Sequence, residues 1–133
     1  MSVTNYNNQH LTDEEYTKIQ EALTSMKQIC EKYLKNLSPE ERKKYGRVNE
    51  QNKLLVNKTY DYHKNQPELQ APEVNWEEFE KDYVSRQRLE AIVAVLERLN
   101  IGLYNAKIMH DNDNYQAALT DYSFASYKAG TLD

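Results

Sequence analysis

Between Asn75 and His110 the chain carries its densest apolar pattern, and no proline interrupts it. Leu89, Ile92, Leu96, Leu99, Leu103, Ala106 and His110 follow at alternating steps of three and four, the spacing of one helical seam. Ile101, Tyr104 and Ile108 begin a second seam on an adjacent face. From Ile92 to Leu96 every position is apolar, so a helix there is hydrophobic all round and calls for neighbours on several sides. At its start Asn75 can cap the helix, Glu78 can close a capping box, and Val74 can staple onto Phe79. This pattern predicts a helix near 76–110 that serves as the central rod of a bundle.

Two earlier segments have the same logic. Thr12 and Glu15 form a capping box, and Tyr16, Ile19, Leu23, Met26, Cys30, Tyr33 and Leu37 keep three-four spacing, predicting a helix near 12–37. Ser38-Pro39-Glu40-Glu41 supplies a cap, a proline at N1 and a glutamate at N3 for a second helix near 39–65, with Gly46 able to kink or break it. Its seam reads Tyr45, Val48, Asn52, Leu55, Thr59 and Tyr62, which turns Asn52 and Thr59 inward, either bonded to neighbours or lining a polar pocket. Residues 65–74, with Pro67 and Pro72, are longer than an ordinary bundle loop.

Asp111-Asn112-Asp113-Asn114 favours turns and caps, so Asp113 is expected to start a fourth helix near 113–129, with Gly130 after its end. A second reading is open here. Ile101, Tyr104, Ile108, Asp111, Tyr115, Ala118, Tyr122, Ala125 and Ala129 keep the three-four spacing without a break. The last two helices could be one long helix that pairs with another subunit. The fold class expected is all-α, an antiparallel four-helix bundle. A mobile tail over 1–10 would precede a single domain over 11–130.

Composition agrees with helices and narrows the function. Only 3 of 133 residues are glycine and 3 proline, too few turn residues for a sheet protein of this length. A net charge of -4 and no dominant basic patch argue against nucleic acid. No apolar run approaches the roughly 20 residues that span a bilayer, and the N-terminus does not look like a signal peptide, so no membrane association and a cytoplasmic location are expected. The single cysteine, Cys30, sits in a seam and reads as a small packed thiol.

Candidate chemistry is sparse. A carboxylate-bridged dimetal centre needs Glu-x-x-His on two helices, but Tyr60 and Lys107 stand three residues before His63 and His110. His110, Asp111 and Asp113 place an imidazole and two carboxylates at a helix junction, and these with His63 are the weak candidate polar site; capping and turn formation explain the cluster without a metal. No cofactor and no catalytic residue are assigned. The eleven tyrosines are the compositional peculiarity. An apolar ring with a polar tip suits half-buried surfaces and interfaces.

Ser38-Pro39-Glu40-Glu41-Arg42-Lys43-Lys44-Tyr45-Gly46, Asn65-Gln66-Pro67-Glu68-Leu69 and His110-Asp111-Asn112-Asp113-Asn114-Tyr115 together resemble a group of small bacterial helical proteins without an assigned activity. That resemblance implies a stand-alone helical protein and no particular reaction. The functional expectation is a non-enzymatic interaction module. It would form a homodimer, with an unidentified protein partner as a further possibility, through Ile101, Tyr104, Ile108, Tyr115 and Tyr122. The alternatives are a small acidic inhibitor or immunity-type protein for a basic partner, and a bundle that binds a metal or small ligand.

Overall fold

A computed structural model describes residues 4–131. The fold is all-α: α1 spans Asp13–Cys30, α2 Pro39–Tyr45, α3 Glu50–Asn65 and α4 Trp76–Thr131, with 3-10 turns at Glu31–Tyr33 and Pro67–Leu69. Among the described residues there is no strand. The chain divides into two compact units, residues 1–25 with 94–133, and residues 26–93.

The helix starts follow the caps. Glu15 N–H donates to Thr12 Oγ1 at 3.0 Å while Thr12 N–H donates to Glu15 Oε1 at 3.1 Å. Ser38 and Glu41 make the same reciprocal pair at 3.1 and 3.2 Å. Asn75 accepts from Glu78 N–H at 3.1 Å. Each cap satisfies an amide that the first turn would otherwise leave without a partner.

The helix ends depart from the periodic pattern. The helix expected over 12–37 stops at Cys30, and Leu34 is already extended. Tyr33 and Leu37 are exposed, so continuing the helix would bury nothing there. The helix expected over 39–65 is two helices. At the end of α2 a Cβ on Gly46 would lie 2.5 Å from the carbonyl oxygen of Arg42, so only glycine fits without a backbone shift. The chain then restarts at Asn49, whose side chain caps α3 by accepting from Asn52 N–H at 2.9 Å. The restart changes the helical phase. Val56, Tyr60 and His63 are half-buried, while Asn52, Leu55 and Tyr62 are exposed. Thr59 is half-buried and turns its hydroxyl back to Leu55 O at 2.9 Å.

The largest correction concerns the C-terminal half. The helices expected over 76–110 and 113–129 are one helix, α4, of 56 residues, and it runs past Gly130 to Thr131. Asp113 is not a cap, because its carboxylate accepts two amides from the N-terminal segment. Lys107 and Asp111, 2.8 Å apart and four residues apart, add support across the stretch read as a turn. Among the described residues no apolar side chain is buried, and Ile92, Val93, Val95 and Leu96 are all exposed.

Candidate interaction surface

Among the described residues of the unit formed by 1–25 and 94–133, the only buried one is Asp113, 8% exposed. Tyr6 N–H donates to both of its carboxylate oxygens, at 3.0 and 3.1 Å, and Asn7 N–H donates to Oδ2 at 2.9 Å. The amides of Tyr6 and then Asn7 hold the Asp113 carboxyl below the ordinary aspartate range, against the opposing effect of its burial. The Asn7 side chain uses its remaining capacity in the same place. Its Nδ2 donates to Ala106 O at 3.1 Å and lies 3.2 Å from His110 Nε2, while its Oδ1 accepts from Gln9 N–H at 3.2 Å. His10 stacks on His110 with ring centroids 5.1 Å apart. Residues 6–10 thus form a strap over Ala106, His110 and Asp113. Met1–Val3, the start of the tail expected to be mobile, lie outside the described residues.

The strap engages this part of the weak polar site. Asp113 spends its lone pairs on amide donors, Asp111 is paired with Lys107, and His110 is engaged by Asn7 and His10. Among the described residues no group of three or more metal-ligating side chains converges.

His63 belongs to the other unit, at the corner where α3 gives way to α4. Its ring stacks on Trp76 at 4.9 Å and meets Phe79 edge-on at 6.5 Å. Its Nε2 lies 3.5 Å from Glu80, which also pairs with Lys64. Glu80 is held below the ordinary glutamate range, first by the hydrogen bond from Lys64 and then by that from His63. One turn further along, Tyr60 and Tyr83 stack at 4.0 Å and Tyr83 donates to Asn57 at 2.8 Å. Trp76 Nε1 donates to Ala71 O at 2.9 Å, which ties the Pro67–Val74 connection to the corner. Beside it lies a groove of about 370 Å³ lined by Thr59, His63, Leu69, Val74 and Trp76 among others. His63 Nδ1 is buried without a hydrogen-bond partner. The corner is an aromatic joint, and its packing accounts for Trp76, Tyr60, Tyr83 and His63.

The remaining feature is an exposed face of α4. Ile101, Tyr104, Ile108, Tyr115 and Tyr122 are 61%, 59%, 47%, 61% and 72% exposed. Tyr104 and Asp113 are nine residues, about two and a half turns, apart, so the strap and this row lie on opposite sides of the helix. All five residues expected to form an interface therefore share a free face. The strap residues Tyr6, Asn7 and His10 are what the sequence pattern missed, because an unpatterned polar segment gives no periodic signal. Among the described residues no helix is long and apolar enough to cross a membrane.

No family model, curated protein or solved structure matches the chain.

Proposed function

We propose that this protein is a non-enzymatic assembly module that self-associates through the free face of α4. The observation that carries the reading is the row Ile101, Tyr104, Ile108, Tyr115 and Tyr122, apolar or aromatic, at steps of three, four, seven and seven along one face, on one continuous helix and exposed throughout. Single exposed apolar residues are ordinary on a protein surface, but a contiguous row of this length is a site for a partner helix. Three-four spacing is what lets two helices keep their seams in contact over many turns. Tyrosine fits such a place, with its ring in the interface and its hydroxyl at the wet rim.

Sedimentation equilibrium on the intact chain tests the proposal. The expected result is a dimer at micromolar concentration, dissociating on dilution. A strict monomer up to several hundred micromolar would remove its basis.

A further inference from the structure

The free face of α4 is graded in size. Ile101, Tyr104 and Ile108 lie toward one end, Ala118, Ala125 and Ala129 toward the other, with Asp111 and Tyr115 between them. Tyr122 is the only large residue of the row beyond Tyr115. A face with a bulky half and a small half is complementary to itself when reversed. Resting on the self-association proposed above, we infer that the partner is a second copy of this chain laid antiparallel on α4, about a two-fold axis at the level of residue 113.

In that register Ile101 meets Ala125 of the second copy, Ile108 meets Ala118, and Tyr104 meets Tyr122. Large residues oppose small ones in two of these layers, which fills the space between helices without voids. Asp111 meets Tyr115 of the second copy, whose hydroxyl can donate to the carboxylate, so the one charged position in the row gains a partner. The flanking positions match as well. Lys107, Asn114 and Asp121 line one border of the row at intervals of seven. The antiparallel register sets Lys107 of each copy beside Asp121 of the other, and Asn114 beside itself. Lys107 already bonds Asp111 within its own chain, so the ammonium stands between the two carboxylates.

The competing arrangements fail on the same residues. A parallel pair sets Asp111 against Asp111 and Ala118 against Ala118, which opposes like charges in one layer and leaves a gap in the other. Sliding the antiparallel pair by seven residues one way puts Asp111 against Ile108. Sliding it the other way puts Lys107 against Lys128. Only the central register avoids all of these. Over residues 95–131 four positions in seven would meet the second copy, about 20 residues a side, the lower end of the range for a specific, stable interface. The strap is on the opposite side of the helix and does not obstruct it.

Disulfide trapping in a Cys30→Ser background, with sedimentation equilibrium run in parallel, reads both orientation and association. Ile108→Cys and Ala118→Cys singly should give little covalent dimer, because neither residue meets its own copy. The double variant should give about tenfold more than either single one. A single variant that traps as completely as the double variant overturns the antiparallel register while leaving self-association intact. A monomer by sedimentation overturns self-association itself. Charge exchange gives a second readout that needs no oxidation. Lys107→Asp and Asp121→Lys should each raise the dimer Kd about tenfold, and together restore it to within about threefold. Equal weakening in the double exchange overturns the register.

Discussion

Asp113 shows how far one side chain can redirect a fold. By type and context it belongs at a helix N-terminus, yet here it sits inside α4 and receives the amides of Tyr6 and Asn7. Both donors are held by a charged acceptor, the strong kind of hydrogen bond. Because the folded carboxyl is held below its ordinary range, the anchor is complete above about pH 4 and is lost as the pH falls through the lowered value. Asp113→Asn keeps the shape but presents an NH2 to amide donors. The expected outcome is that hydrogen-exchange protection of the Tyr6 and Asn7 amides disappears at neutral pH in the variant, while in the parent it disappears only in acid. Protection that survives the substitution would mean that Asn7, through Ala106 and His110, is the true anchor.

At the scale of elements, local signals were the legible ones. Thr12, Ser38 and Asn75 each cap through an atom three residues away, so the sequence contains the whole device. The continuity of α4 is legible in the unbroken three-four spacing from Ile101 to Ala129, but the end of α1 and the use of Asp113 away from a cap are not written in any local window. Asp113 is 107 residues from Tyr6, and Tyr33 and Leu37 stay exposed. The phase of α3 departs from the periodic pattern for a related reason: the break at Gly46 passes the cap to Asn49, and aromatic stacks then select Tyr60 and His63 as the covered side. The exposed row Ile101, Tyr104, Ile108, Tyr115 and Tyr122 needs only periodicity to be picked out, and its role as an interface is the proposal made above. Gly102 tests the continuity of α4 directly. A Cβ there would meet nothing within 4 Å, so Gly102→Ala should stabilise the helix by about 1 kcal/mol, seen as a higher melting midpoint. A lower midpoint would show that the helix bends or breaks at Gly102, as its residue type allows.

For the whole molecule, the decisive fact is that no apolar side chain among the described residues is buried. Apolar burial is the main favourable contribution to folding, and ordering each residue costs about 1–2 kcal/mol in backbone entropy. Capping boxes and exposed ion pairs such as Glu14–Lys18 and Arg86–Glu90 contribute at most about 1–2 kcal/mol each, which cannot offset that cost over a chain of this length. If the proposed self-association supplies that burial, folding and association should be one equilibrium. The helical signal at 222 nm should then melt at a midpoint that rises by roughly 5 °C for each tenfold increase in protein concentration, since a tenfold change in concentration is worth about 1.4 kcal/mol of dimer stability. Ile108→Asp, at the centre of the free face, should lower the midpoint and move the dependence to higher concentration. A midpoint unchanged over a hundredfold range of concentration would mean that the chain covers its own apolar faces in solution, and the assembly role would fall with it.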